Sequence, residues 1–392
     1  MPNRSDLQPV LHAAMSLVAA DGLKGLSLRP LAEHLGQTVS ALTHRFGLKD
    51  ELLNALIEAA VIQDSAFLDR WLDRIQALNV RDGATMAELA DAILSDLAGP
   101  EALRTRFYCE LLQGVVSRPE LAPAVAAWSA RRLAFWTEAT RGLDRAELDT
   151  ILHAFSVGDA AYGLALGDLA AYRWLRKLNL RRLCCGLIPA DNAQDLRQYQ
   201  VFRQALGELF DDPSRPVTPP LTEWQAKAAP HISAVIIAEG ADAVTHRAIA
   251  ARAGLANSTL AYHFPRQEDL LRAGAVDMIS RARQATAAPA RESDFQLTAI
   301  QSARATFALA LIATRMPGFK AVAADLRRQR GENYVGVLER EMGERVFDVV
   351  ATQALSLTGM GRMMLDAVMD PAASDAGFKL SERMRATALV ER

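Results

Sequence analysis

Gly36-Gln37-Thr38-Val39-Ser40-Ala41-Leu42-Thr43-His44-Arg45-Phe46 returns 218 residues later as Gly254-Leu255-Ala256-Asn257-Ser258-Thr259-Leu260-Ala261-Tyr262-His263-Phe264. The spacing holds without a gap from Ala14/Ile232 to Leu53/Leu271. Identical pairs along it include Gly22/Gly240, Arg29/Arg247, Ala32/Ala250, Gly36/Gly254, Ser40/Ser258, Leu42/Leu260 and Phe46/Phe264. An internal repeat of this kind sets the architecture, because each copy is one folding unit and the rest of the chain must pack around two of them.

Around the first copy the pattern is helical. Leu7, Val10, Leu11, Ala14, Leu17 and Val18 fall at helical spacing, and Asp21-Gly22 supplies a stop, so the first helix is expected over residues 7–20. Ser27 is placed to cap a second helix that carries Pro30 in its first turn and ends at Gly36. A short third helix is expected from about Thr38 to Phe46. A fourth begins near Lys49-Asp50-Glu51, whose acids favour the positive end of the helix dipole. Two short helices joined through a glycine turn after a longer supporting helix form a helix-turn-helix pattern. Such a corner can also be a packed three-helix cluster with no nucleic acid. Against that reading, the third helix offers Thr38, Ser40, Thr43, His44 and Arg45, and its second copy Asn257, Ser258, Thr259, Tyr262 and His263. These short donors and rings suit base edges and phosphates.

The segments Leu26-Ser-Leu-Arg-Pro-Leu-Ala-Glu-His-Leu-Gly36, Ser40-Ala-Leu-Thr-His-Arg-Phe46 and Lys49-Asp-Glu-Leu-Leu53 together resemble the DNA-binding segment of tetracycline-repressor-type (TetR-family) regulators. Val244 to Gly254 leading into Ser258 to Leu271 resembles it more closely still. The resemblance implies that each third helix enters the major groove of a double-stranded operator. It carries DNA contacts onto Arg29, Val39, Ser40, Ala41, Thr43, His44, Arg45 and Lys49 in the first copy. In the second copy the matching positions are Arg247, Asn257, Ser258, Thr259, Ala261, Tyr262, His263 and Gln267. The family usually has a tyrosine where this chain has Thr43 and Ala261, so one backbone anchor is missing from both copies. The two reading helices also differ at nearly every exposed position, which implies an operator without palindromic symmetry.

Composition fits a globular chain with room for two or more cores: 392 residues, half of them apolar. The N-terminus lacks the apolar run of a signal peptide. No apolar run approaches the roughly 20 residues that span a bilayer, so a cytoplasmic protein without membrane contact is expected. Cys109, Cys184 and Cys185 cannot form a disulfide framework; reduced core thiols are expected, with a Cys184–Cys185 redox pair as the alternative. A net charge of −2 does not point to nucleic acid, so DNA binding has to rest on the local motifs.

From Leu53 to about Phe210 no alternating strand pattern occurs, and the fold class is all-α: two tandem units, each a helix-turn-helix head followed by a helical body. The boundaries are 1–54 and 55–212 for the first unit, a Pro-rich linker at 213–222, then 223–272 and 273–392 for the second. Most aromatics at helical spacing are core. Phe107, Trp128, Phe135, Phe155 and Tyr162, with Asp159 as a polar handle, are the candidates for an effector pocket between helices. An acid in so apolar a helix is costly unless paired, so Asp159 is alternatively an interface acid.

Beyond the heads the repeat reappears at another spacing, with Pro119 matching Pro317 and Gly163 matching Gly361, 198 residues apart. Leu53 and Pro119 are 66 residues apart, Leu271 and Pro317 only 46, so the second unit is 20 residues shorter here, about one long helix. The same spacing puts Leu326 for Trp128, Met360 for Tyr162 and Leu357 for Asp159, which leaves the first unit as the better holder of a pocket.

Relatives of this type pair two identical chains through their last long helices. Here residues 120–167 are expected to pack on 318–369 as an intrachain pseudo-dimer. The expected function is a ligand-responsive transcriptional regulator, most simply a repressor released by a small-molecule effector. The alternative is a helical interaction module that kept the fold and lost DNA reading. No metal-ligand spacing, nucleophile elbow or glycine-rich phosphate loop is present, so neither an enzyme nor a cofactor is expected.

Overall fold

The computed structural model describes residues 4–210, 220–287, 292–332, 335 and 347–369, and among these every regular element is a helix. The first head comprises α1 (Arg4–Gly25), α2 (Leu28–His34), α3 (Val39–Phe46) and the start of α4 (Lys49–Leu78). Its body adds α5 (Gly83–Ala98), α6 (Ala102–Gly114), a 3-10 turn at Pro119–Leu121, α7 (Ala122–Thr140), α8 (Leu148–Leu166), α9 (Ala170–Cys185) and α10 (Ala193–Glu208). The second head comprises α11 (Glu223–Glu239), α12 (His246–Ala253), α13 (Asn257–His263) and α14 (Gln267–Ala287). Its body has α15 (Glu292–Ala313), a 3-10 turn at Pro317–Phe319, α16 (Lys320–Gln329) and α17 (Val349–Met369). Most of the Pro-rich linker (211–219) and residues 370–392 lie outside the described residues.

The repeated residues are repeated for physical reasons. Leu42, Phe46, Leu52 and Leu53 and their counterparts Leu260, Phe264, Leu270 and Leu271 are all buried, with Leu31 and Ile249 beside them. Gly36 and Gly254 turn the chain between the second and third helices with φ of 63° and 66°, a conformation that strains any residue with a Cβ. The helix after each reading helix starts with the same device. Glu51 Oε2 accepts from the backbone N–H of Leu48 at 2.8 Å, and Asp269 Oδ2 from that of Arg266 at 2.9 Å. The first helix runs longer than its pattern predicts, from Arg4 to Gly25. Its backbone still breaks at Gly22, where φ is 69° and ψ is −172°.

Between head and Pro turn the first unit has α5 and α6, the second only α15. The residue deficit read from the sequence is therefore one helix. α9 and α10 have no counterpart among the described residues of the second unit. They lie across the other unit: Arg182 pairs with Asp195 and Asp348 at 2.8 and 2.9 Å, Asn192 donates to Asp348, and Arg203 pairs with Glu332.

The units share their longest face between α8 and α17. A Cβ on Gly158 would stand 2.0 Å from the Leu357 carbonyl oxygen, and one on Gly361 would stand 1.8 Å from that of Ala154. These contacts are reciprocal, so Gly361 is the counterpart of Gly158, at a spacing of 203. This corrects the pairing with Gly163, which instead faces Ala98 and Tyr172. The 198 spacing holds at the 3-10 turns and fails at the last helix, because the second unit carries five more residues between them. Part of the expected pairing segment 318–369, residues 333, 334 and 336–346, lies outside the described residues.

Candidate nucleic-acid interface

The reading helices owe their free faces to their cores. Leu42 and Phe46 turn one side of α3 inward, and Leu260 does the same for α13. Val39, Ser40, Ala41, His44 and Arg45 are left exposed on the first, and Asn257, Ser258, Thr259, Ala261 and Tyr262 on the second. Thr38 caps α3, its Oγ1 accepting from the Ala41 N–H at 3.1 Å. Arg29, Lys49, Arg247 and Gln267 are exposed on the flanking helices, as a phosphate clamp requires.

Three of the expected contacts are committed to the protein itself. Thr43, half-buried, donates its hydroxyl to the Val39 carbonyl at 2.9 Å. His263, also half-buried, stacks on Trp224 of α11 with ring centroids 3.9 Å apart. Gln267 donates through Nε2 to the Val244 carbonyl at 2.8 Å, tying the start of α14 to the turn before α12. Arg29 is held by Glu33 at 3.0 Å, a surface pair that a phosphate can readily replace. Tyr262 is the most solvent-facing ring of the head, 81 % exposed. Arg266, with its side chain 74 % exposed, was not singled out from the sequence; its place one residue before Gln267, on a capped helix start, was the available signal.

The six candidate effector residues are brought together only as core. Phe107, Trp128, Phe155 and Tyr162 are fully buried, and Phe135 nearly so. Trp128 donates to Asp64 at 2.7 Å; the same carboxylate takes Arg132 at 2.8 Å and Arg104 at 3.0 Å. Burial would raise the Asp64 pKa, but the two guanidiniums and these hydrogen bonds outweigh it and hold it below the usual carboxylate range. Asp159, 1 % exposed, accepts from the Tyr172 hydroxyl at 2.6 Å and faces Arg327 of the second unit at 3.6 Å. Its place is thus at the contact between units. Burial, then the Asp159 charge, pushes the Tyr172 hydroxyl well above its ordinary pKa, so Tyr172 remains a donor.

Two cavities of about 300 and 730 Å³ lie where the units meet, and none of the six residues lines either. Among the described residues no group of three or more His, Cys, Asp or Glu could hold a metal ion, and no helix is long and apolar enough to cross a membrane. Burial pushes the thiols of Cys109 and Cys184 up to about 12, so neither is a ready nucleophile at neutral pH.

No curated protein matches the chain. The family model described as "Bacterial regulatory proteins, tetR family" matches it twice, at residues 10–56 and 233–273, which are the two heads. The exposed helices α3 and α13 therefore lie in two tandem heads, each similar to the DNA-binding segment of tetR-family bacterial regulatory proteins.

Proposed function

We propose that this protein is a ligand-responsive repressor whose single chain reads an asymmetric operator with two unlike helices. The observation that carries the reading is the pair of exposed faces on α3 and α13, which share Ser40/Ser258 and little else. In this reading residues 1–54 and 223–272 are the DNA-reading heads. Residues 55–212 and 273–392 are bodies that pair as two chains pair in relatives, and the protein works in the cytoplasm, where its DNA is. The reciprocal packing of Gly158 and Gly361 supports an intrachain pseudo-dimer. Fusion frees the two halves to diverge, which accounts for unlike reading helices and unequal bodies. An effector acts by binding better to a head arrangement that does not fit the operator. In the aromatic core of the first unit it would have to displace packed side chains.

Footprinting on the DNA flanking the protein's own gene at low salt tests this. Two protected half-sites of different sequence are expected, and no protection at all would sink the reading. Arg45→Ala is expected to weaken binding and, if Arg45 meets a phosphate, to lower the salt slope by about one. A module that kept the fold and lost DNA reading is favoured by two observations: Thr43 hydrogen-bonded to its own helix, and His263 stacked inward on Trp224. DNA binding left untouched by both Arg45→Ala and Tyr262→Ala would support that alternative.

A further inference from the structure

The two heads touch through the turns that follow their first helices. Lys24 Nζ donates to the backbone carbonyl of Asp242, the residue that occupies its own position in the second copy, at 3.2 Å. A Cβ on Gly22 would stand 1.7 Å from Asp242 Oδ2, so that position admits no side chain without displacing the contact. Beneath this junction lies the cleft of about 300 Å³, between the two heads and the ends of α6 and α15. That volume is at the small end of ligand pockets.

On its wall, the whole side-chain amide of Gln113 is unsatisfied. Gln113 of α6 is 7 % exposed, and neither its side-chain oxygen nor its side-chain nitrogen has a hydrogen-bond partner among the described residues. Leaving a buried primary amide unpaired is costly, so a partner is expected in the cleft. Charged side chains of both signs surround it, and burial pushes the Glu110 carboxyl above its ordinary range. Lys24, Lys49, Arg118 and Arg315 contribute four cations. Asp50, Glu110, Glu239 and Asp242 contribute four acids, and Arg315 is already paired with Glu110 at 3.1 Å and Asp242 at 2.8 Å. A free amide presents one donor and one acceptor side by side, which a neutral amide or lactam edge matches at two points. Leu23, Ala308 and Leu311 supply apolar wall for the rest of such a molecule.

We propose that the cleft between the heads is a binding site for a small neutral molecule carrying an amide or lactam edge, held by the side chain of Gln113. Its occupant touches both heads at once, so occupancy sets their separation. That regulatory consequence rests on the repressor reading above, whereas the site does not.

Binding is measured first on the full chain without DNA, by saturation-transfer NMR and calorimetry with 2-pyridone, uracil and benzamide. Saturable binding of at least one probe is expected, with at least a tenfold loss in Gln113→Leu. That variant keeps bulk and removes only unpaired polar atoms, so its melting temperature is expected to match or exceed the parent's. No saturable binding by any of the three probes, or binding that Gln113→Leu retains, overturns the site and leaves ordered water as the partner of Gln113. Operator affinity is then measured with and without the bound probe: a fall in the parent and none in Gln113→Leu supports the effector role. Unchanged affinity in the parent overturns that role. A protein that binds the probe but no DNA convicts the repressor reading and not the site.

Discussion

His153 is buried on α8 and held neutral. Burial, and after it the charges of Arg132 and Arg362, lower its pKa to about 3 against the opposing pull of Asp149. In the unfolded chain the imidazole titrates near 6.5, so acid protonates the unfolded state first. Its contribution to stability is full above that value and is lost as pH falls toward 3. His153→Gln should therefore lose about 2 kcal/mol less than the parent between pH 7 and pH 5, in urea titrations at the two pH values. Asp64 is the opposite kind of buried group, ionised and matched by Arg104, Arg132 and Trp128. Asp64→Asn leaves guanidinium charge buried without its counter-ion and is expected to cost about 3–5 kcal/mol, read from the same titrations. Neither residue showed its role in the sequence. Their partners come from other helices: Asp64 lies 68 residues from Arg132.

At the scale of elements, the crossing of α8 and α17 is set by two residues without side chains. Alanine favours a helix over glycine by about 1 kcal/mol. At Gly361 that gain is outweighed, since the new Cβ would stand 1.8 Å from the Ala154 carbonyl oxygen and 2.6 Å from the Gly158 nitrogen. Backbone cannot yield as a side-chain tip can, so the helices must separate along the shared face, at a cost of about 1–3 kcal/mol. Gly361→Ala is expected to lower the melting temperature, and Gly36→Ala to do so less, because Gly36 has only its φ to lose and open space around it. Equal effects would show that the crossing does not depend on close approach. The start of α4, by contrast, was legible: Glu51 stands in an acidic first turn, where the sequence placed it, and Asp269 holds the matching place in α14.

On the scale of the whole molecule, one chain holds two heads, and their contact through Lys24 and Asp242 joins positions that correspond in the repeat. A single 42.6 kDa chain is therefore expected to protect a complete operator. Light scattering of the protein–DNA complex should give one chain per duplex, with binding that does not steepen as protein concentration rises. A complex containing only paired chains would count against the fused-dimer reading. The body was less legible than the heads. α9 and α10 belong to the first unit in chain order and reach across to Asp348, Arg328 and Glu332 of the second.

The sequence alone determined the helical class, the two heads, their glycine turns and the polar faces of the reading helices. Those features depend on local periodicity, caps and backbone conformation, which neighbouring residues decide and a repeat doubles. Tertiary structure alone decided that Gly361 meets Gly158, that Asp159 faces Arg327, and that Trp128 and Asp64 fill the first body with a paired charge cluster. It also placed Gln113 unpaired beneath the junction of the heads. Each of these joins residues distant in the chain. Their geometry follows from how long helices cross and from how many residues separate them, which no local pattern records.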